Sequence, residues 1–466
     1  MTPPNARQGV GCLNKVFIAA LILSAAFLIT APVHAQNQTL TLDQARSLAV
    51  ALVAQGRPED GIPIVSALVA RDPQDSESWL VLARALRLNG DIQGARRAAG
   101  QANSSATNAT ERFGASMELA AANFALERRL IAQFWLRRAA QIAPTPELRE
   151  TAIRNFRQVA ARTPLQLSFQ FSVVPSNDVN NGSRSDTINI AGLPFELSGD
   201  AQALSGLEIS YGGEARLRFS GFNDLPAQLS LRASSQEIIL SDSAREQAPD
   251  ASGSDFNFSV LELGLTQVIA RTPSDVLWRL DTTLGRNWFG GDQLSTYGRV
   301  GLVQRWSPGE RRSVQTGFSI ERNSRDDDPE RSAWIARLDG SHTWARESGG
   351  AFTLSGGLRE TISDSEDIDH FAVNVGAGFQ LGERIARFAT LSASLNYEFR
   401  NYAGSAFSAD GREDNRFSLR TTFGFPDLNY FGFAPTLTLE ALQVESNVSL
   451  FDSVDYGVRL GVRSVF

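Results

Sequence analysis

From Pro164 onward the chain alternates apolar and polar residues, and no stretch of it is apolar enough to form a membrane-spanning helix. Leu165, Leu167, Phe169, Phe171 and Val173 alternate with Gln166, Ser168, Gln170 and Ser172. The same period of two returns from Leu207 to Phe219, Trp334 to Trp344, Phe371 to Leu381 and Val454 to Val462. Such strands have one apolar and one polar face. In lipid every backbone N–H and C=O must be paired within the protein, so strands of this kind can cross a membrane only as a closed barrel.

The connections have a rhythm. Short turns are expected near Phe222–Pro226, Arg271–Asp275, Ser307–Arg311, Glu347–Gly350, Gly382–Arg384 and Pro426–Phe431. Longer polar stretches fall at Pro175–Ala203, Ser235–Ser254, Asn287–Gln293, Asn323–Glu330, Ile362–Asp369, Tyr402–Asn415 and Glu445–Ser453. Seven long and six short connections in alternation predict fourteen antiparallel strands, with short turns on the periplasmic side and long loops outside. Gln166, Ser168, Gln170 and Arg216 would then face a wet lumen. Trp278, Trp288, Trp306, Trp334, Trp344, Tyr397 and Phe399 suit the interfacial girdles. Gly461 through Phe466 resembles a terminal barrel-assembly signal, with Ser464 where an apolar residue is usual.

The preceding region reads differently. From Thr39 to about Arg162 apolar residues recur every three or four positions among Ala, Leu and Arg, which is helical patterning. Leu48, Leu52 and Gly56 are repeated at +34 by Leu82, Leu86 and Gly90, and Trp79, Ala83, Ala95, Ala99 and Ala102 fit tetratricopeptide (TPR) spacing. A third unit, through Leu119, Ala132, Ala139 and Pro144, requires an insertion of a few residues, supplied around Asn103–Asn108. Such helix pairs stack into a solenoid with a concave side. Arg84, Arg87, Arg96 and Arg97 are the candidate client-contacting residues; a solvated face is the plainer role for them, as core packing is for Trp79.

The first 35 residues have the form of a secretory signal, with Arg7 and Lys15 before the apolar run Val16–Ile29 and Val33-His34-Ala35 before Gln36. Cys12 and Lys15 are the only cysteine and lysine. Once the signal is removed, the chain can form no disulfide or thiolate metal site. The formal net charge of −7 is unevenly shared: residues 36–164 hold 16 Arg against 12 Asp and Glu, and residues 165–466 hold 26 Arg against 39. That asymmetry separates two domains and makes nucleic acid a poor partner. The expected organisation is a signal peptide (1–35), a periplasmic TPR-like α-helical domain (36–163) and a 14-stranded outer-membrane β-barrel (164–466).

Two polar stretches resemble a known family. Val174-Pro175-Ser176-Asn177-Asp178-Val179-Asn180-Asn181, continuing to Ser205-Gly206, and Glu445-Ser446-Asn447 through Asp452 are similar to the barrel domain of the surface lipoprotein assembly modifier (Slam) family, whose members also carry periplasmic TPR repeats. Ser453-Val454-Asp455 departs from the closing pattern of that family, a difference that bears on the particular substrate. The resemblance implies a translocon that helps lipoproteins, and in some members soluble proteins, cross the outer membrane of a Gram-negative bacterium. Its motif-like residues are Pro175, Ser176, Asn177, Asn180, Asn181, Ser446 and Asn447. Partners would be a client lipoprotein or secreted protein, outer-membrane lipid and lipopolysaccharide, and, through Gly461 and Phe466, the barrel-assembly machinery. The alternative is a small-solute porin-like channel, and a third reading is an adhesive surface protein.

Chemistry is sparse. His342 and His370 are the only histidines beyond the signal; His342 shares parity with lipid-facing Trp334 and Leu338, and His370 sits at a strand start. No Ser/His/Asp set, phosphate loop or HExxH helix is suggested, so enzyme activity and cofactors are not expected. Asp326-Asp327-Asp328 and Asp364–Asp369 read as solvated outer loops; they lack the glycine and distal glutamate of a dedicated Ca²⁺ loop.

Overall fold

The computed structural model describes residues 40–190, 193–272, 275–347, 349–385 and 388–464. The signal-like segment and Phe466 lie outside these residues. Two units follow one another, an α-helical solenoid and a closed antiparallel barrel.

Seven helices form the solenoid: α1 (Leu42–Ala54), α2 (Pro58–Arg71), α3 (Ser76–Leu88), α4 (Ile92–Ser105), α5 (Ala109–Ala125), α6 (Arg129–Ile142) and α7 (Pro146–Arg162). Their starts are written in the sequence. Asp75, Asp91, Asn108 and Thr145 each accept a hydrogen bond from a first-turn N–H, and Thr41 with Gln44 forms a capping box. Between helices of a pair the buried residues are mostly alanines: Ala49, Ala83, Ala98, Ala99, Ala115 and Ala132 are 3 % exposed or less. Small side chains at these crossings let the helices approach closely.

The three pairs turn at Gly56 (φ 78°), Gly90 (φ 89°) and Glu127 (φ 60°). The third turn therefore follows the second by three residues more than the 34-residue period, and the extra length lies in α5, which has 17 residues against 13 in α3; the α4–α5 connection, where the sequence placed an insertion, is no longer than the α2–α3 one. A left-handed conformation costs a non-glycine residue about 1–2 kcal/mol. Glu127→Gly should raise the stability of the solenoid by about 1 kcal/mol, since the exposed Glu127–Arg129 pair offsets little. Thermal unfolding followed at the helical dichroism band checks this, and a lower melting temperature would contradict it.

After Thr163-Pro164 the pattern changes and the barrel begins. Its strands are β1 (Leu165–Ser176), β4 (Gly206–Ser220), β5 (Pro226–Leu240), β6 (Phe258–Arg271), β7 (Leu277–Phe289), β8 (Asp292–Gly309), β9 (Arg312–Arg325), β10 (Ala333–Ala345), β11 (Gly350–Ser363), β12 (His370–Leu381), β13 (Thr390–Tyr402), β14 (Arg412–Gly424), β15 (Phe433–Ser446) and β16 (Ser453–Ser464). Each pairs with its sequence neighbours in the barrel, and β1 pairs with β16 to close it. Two short strands, β2 (Thr187–Ile190) and β3 (Leu193–Glu196), form a hairpin in the first long loop, and a short helix, α8 (Asp242–Gln247), sits in the second.

The alternation sorts side chains as expected. Phe169, Leu231, Leu284, Val300, Leu338, Leu395 and Leu460 are half or more exposed on the outer wall. A water-facing wall this apolar would be an aggregation surface, whereas a bilayer satisfies it. Among the described residues no helix is long and apolar enough to cross a membrane. The barrel is of the outer-membrane type.

Two connections differ from the sequence expectation. Asn287–Gln293 is not a long loop: β7 runs to Phe289, and Gly290 (φ 59°) with Gly291 (φ 93°) makes a two-residue turn into Asp292. Two consecutive positive φ angles are the condition for a tight hairpin, and glycine meets it without strain. Conversely, the turn placed at Gly382–Arg384 extends to Ala389 before β13 begins.

Candidate functional site

Three features could carry function: the concave face of the solenoid, the barrel lumen, and the closure between first and last strands.

The concave face is lined by the first helix of each pair. Val50 and Val53 of α1, Leu80 and Arg84 of α3, and Gly114 and Met117 of α5 surround a cavity of about 250 Å³. Beside it a second cavity of about 240 Å³ is lined by Met117, Ala121 and Phe124 of α5, Leu136 of α6, and Val159 and Arg162 of α7. Met117 belongs to both, so the two form one apolar groove. The four candidate arginines are divided. Arg84 is exposed and lines the groove. Arg87 is bound to Glu118, itself a groove residue, at 2.8 Å. Arg96 and Arg97 belong to α4, which lines neither cavity. Trp79 packs against the solenoid core and donates its indole N–H to Pro73 O at 2.9 Å.

The solenoid is fastened to the short-turn end of the barrel. Arg137 of α6 lies between the rings of Phe156 and Phe433, at 4.6 and 4.9 Å, and donates to Phe431 O at 2.8 Å and Ser464 Oγ at 2.9 Å. Gln141 accepts from Phe431 N–H at 2.9 Å, holding that residue at its positive φ of 50°. Arg218, near the end of β4, donates to Ala160 O, Ala161 O and Thr163 O. A guanidinium there satisfies the free carbonyls that terminate α7 and complements the negative end of its dipole.

The lumen is polar, as the inward parity of Gln166, Ser168, Gln170 and Arg216 requires. A cavity of about 730 Å³ is lined by Gln228, Thr266, Arg279, Asp281, Arg299 and Asp339, among others. Along the lumen wall many charges are organised into pairs: Arg279–Asp281, Arg216–Glu214, Arg232–Glu262, and Arg420 and Arg459 with Glu440. His342 faces outward and stacks on Trp344 at 3.8 Å. His370 lies on the inner wall against Tyr402, its Nδ1 2.6 Å from Ile368 O. The acidic runs are tied into their loops: Asp327 is bound by Arg325, Asp326 accepts from Gln293, and Asp369 accepts from Ser363 N–H. The Arg325 hydrogen bond holds the Asp327 carboxyl down at about 2.

The closure brings the two family-like stretches together. Pro175 and Ser176 end β1, opposite Leu207 and Gly206 of β4. Beyond them Asn177 acts as a side-chain copy of a peptide group. Its Nδ2 donates to Val454 O at 2.6 Å and its Oδ1 accepts from Tyr456 N–H at 2.8 Å, so the amide continues the β1–β16 ladder past the end of β1. Ser176 Oγ donates to Asp455 Oδ1 at 2.6 Å. At the far stretch Asn447 does the same: its Oδ1 accepts from Glu413 N–H and its Nδ2 donates to Gly411 O. Ser446 N–H donates to Asp452 Oδ1 at 2.7 Å, and Ser446 Oγ accepts from Val448 N–H. Asn180 bridges the loop onto itself through Asp200 O, Gln202 O and Leu204 N–H. Asn181 occupies φ 53°, a region asparagine tolerates better than most residues. Arg184 N–H to Asp452 O and Ser183 Oγ to Ser449 O then join the first loop to the last. Gly461 sits opposite Ser172 in β1, and a Cβ there would meet Thr436 Oγ1 at 3.1 Å and Phe171 O at 3.3 Å.

Asp178 lies inside this clasp, 6 % exposed, accepting from Gly182 N–H at 2.8 Å. Burial, with repulsion from Asp455 added, pushes its carboxyl up to about 6. An acid whose folded value is raised contributes stability that is full below its unfolded value near 4 and is lost as pH rises through the folded value. The clasp should therefore tighten between pH 7 and pH 4, by roughly 3 kcal/mol for such a shift. Asp178→Asn should flatten that dependence. Protease nicking of residues 177–205 across this pH range measures it; an unchanged slope in the variant would assign the effect elsewhere.

No family model matches the chain, and no curated protein matches it. Among solved structures, the Yersinia enterocolitica type III secretion translocator chaperone SycD is 23 % identical over 26 % of this chain and 82 % of its own, with a TM-score of 0.24. PcrH in complex with the chaperone-binding region of PopD is 20 % identical over 26 % and 92 %, with a TM-score of 0.24. OccAB1 of Acinetobacter baumannii is 8 % identical over 65 % and 97 %, with a TM-score of 0.35.

Proposed function

We propose that this protein is an outer-membrane translocon that assists the export or surface display of client proteins, lipoproteins or soluble secreted proteins, and that it is kin to the surface lipoprotein assembly modifier family. The solenoid lies in the periplasm in this reading, and no catalysis is involved. One observation carries it. An apolar groove wide enough for the side chains of an extended chain is bolted, through Arg137, Gln141 and Arg218, to the short-turn mouth of a barrel with a polar interior. A groove that only bound a periplasmic partner would have no need of that attachment. An extended client would be held by its backbone and by apolar side chains in the two cavities, with Arg84 favouring an acidic neighbour. Lipopolysaccharide and lipid would surround the wall, and the barrel-assembly machinery would insert it.

The test is co-expression with a candidate exported protein, with and without the solenoid, followed by protease shaving of whole cells. Surface exposure of the client should fall at least tenfold when the solenoid is removed while the barrel still inserts. If no candidate changes exposure on deletion of the gene, the reading fails. The polar cavity of about 730 Å³ supports a second reading, a small-solute channel. A large steady conductance from the barrel alone, with no client effect, would favour it.

A further inference from the structure

Among the described residues, the charge pairing of the lumen is incomplete where several arginines of neighbouring strands face one another. On the inner wall towards the long loops, Arg337 of β10 stands directly opposite Arg359 of β11. Like charges directly opposite destabilise a sheet, so stability does not account for this arrangement. One strand beyond β12, Arg400 of β13 faces the same space. The carboxylates there are shared. Glu321 contacts Arg299 at 2.6 Å and Arg337 at 3.0 Å, and Glu398 contacts Arg359 at 3.3 Å and Arg400 at 2.5 Å. Four guanidiniums thus have two carboxylates between them. Arg359 Nε is buried and makes no hydrogen bond, and Arg331 makes no ion pair among the described residues. Arg325 and Asp327 cancel, Asp414 is taken by Arg412, and Asp339 lines the deeper cavity. On the opposite wall Arg420 and Arg459 face Glu440 and Glu208, which balances.

These groups surround a cavity of about 230 Å³, lined by Arg325, Arg331, Arg337, Arg359, Arg400 and His370, among others. The side chains of Arg337, Arg359 and Arg400 are only 26 %, 21 % and 20 % exposed, so their surplus charge is poorly screened by water. The geometry points to an oxyanion-binding site at the outer end of the lumen, which takes a carboxylate or phosphate group between Arg337 and Arg359. Planar guanidiniums match either group with paired N–H donors, and rings of arginine are how anion pores select. The volume admits a phosphate or the end of a dicarboxylate. The same chemistry could be offered by a free small anion or by the acidic side chains of a passing polypeptide. The site does not depend on the translocation reading.

The test is titration calorimetry on the purified full-length protein in detergent, at constant ionic strength, with inorganic phosphate, succinate and hexaglutamate as probes. Saturable binding of at least one is expected. Arg337→Gln with Arg359→Gln should weaken it tenfold or more. Arg216→Gln, paired with Glu214 elsewhere in the lumen, should leave it unchanged. Because the pair repels itself, the double variant should melt no lower than the parent in the absence of anion, which a purely structural role would not predict. If the double variant fails to insert, Arg331→Gln at the rim should still weaken binding severalfold. Binding of phosphate or succinate identifies a small solute as the source, and binding of hexaglutamate alone identifies a polypeptide. No saturable binding of any probe, or equal affinity in the arginine variants and the parent, overturns the site.

Discussion

Placing a carboxylate in each half of the groove, as Leu80→Glu with Ala121→Glu, should reduce client capture by a factor on the order of 100 to 10,000. Each cavity accepts an apolar side chain, and burying one contributes about 1.5–3 kcal/mol. Two together give roughly 3–6 kcal/mol, and each 1.4 kcal/mol is a tenfold change in affinity. The first of the introduced carboxylates would also fall one turn before Arg84 and neutralise it, removing the preference for an acidic neighbour. Leu80 and Ala121 line the cavities without belonging to the buried clusters that hold the helices together. The variant should therefore keep its helical dichroism and its barrel. Pull-down of a co-expressed client by the full-length protein measures the effect. Undiminished capture by a folded variant would mean that the groove is not the receiving surface.

The division between what the sequence revealed and what it concealed follows from the solvents involved. Lipid on one wall and water on the other enforce the period of two along every strand, so Phe169, Leu338 and Leu460 could be placed outward from the pattern alone. The same wet lumen misled at Asn287–Gln293. Polar residues at a strand end look identical whether they face the lumen or a loop, and Asn287 is an inward strand residue whose Nδ2 donates to Ser295 Oγ. The Gly290-Gly291 pair was the available signal for a tight hairpin. In the solenoid the alanines and turn glycines exposed the repeat because close helix packing and left-handed turns tolerate few other residues. Glu127 concealed the third turn because its chemistry does not reveal its φ.

Site residues were legible to different depths. Arg84 and Arg87 could be placed on a repeat, but their separation from Arg96 and Arg97 depends on which helix of each pair lines the groove. The inward arginines of β10 to β13, Arg337, Arg359 and Arg400, all carry lumen parity, but parity alone does not set them apart from other lumen arginines. Their significance lies in cross-strand register, and a one-residue slip would remove it. The polar motifs were visible, and their partners were not, because Asn177 and Val454 lie 277 positions apart. A hint did exist, since a Ser-Asn pair closes both stretches, with Ser176 and Ser446 the last paired residues and Asn177 and Asn447 just beyond them.

That pair of asparagines permits the second large effect to be isolated. Asn177→Ala should loosen the outer end of the β1–β16 closure by roughly 1–3 kcal/mol. The substitution removes a donor and an acceptor together, leaving Val454 O and Tyr456 N–H without their partner, and at this half-exposed end each lost hydrogen bond costs about 0.5–1.5 kcal/mol. The loss is concentrated where the barrel has least in reserve. Among the described residues β1 meets β16 in register at four positions, Phe171, Ser172, Val173 and Ser176, whereas it meets β4 at every residue from Leu165 to Ser176. Asn447→Ala removes the equivalent bonds at the β14 end, but β14 and β15 are in continuous register from Asp414 to Gly424 and should hold. The expected order is thus a marked fall in the temperature at which Asn177→Ala loses its compact form on gels, and a small one for Asn447→Ala. Hydrogen exchange should quicken at Tyr456 in the first variant while the β8–β9 ladder stays protected. Equal midpoints for the two variants would show that the closure is held by the ladder itself, and that the Asn177 amide only decorates it.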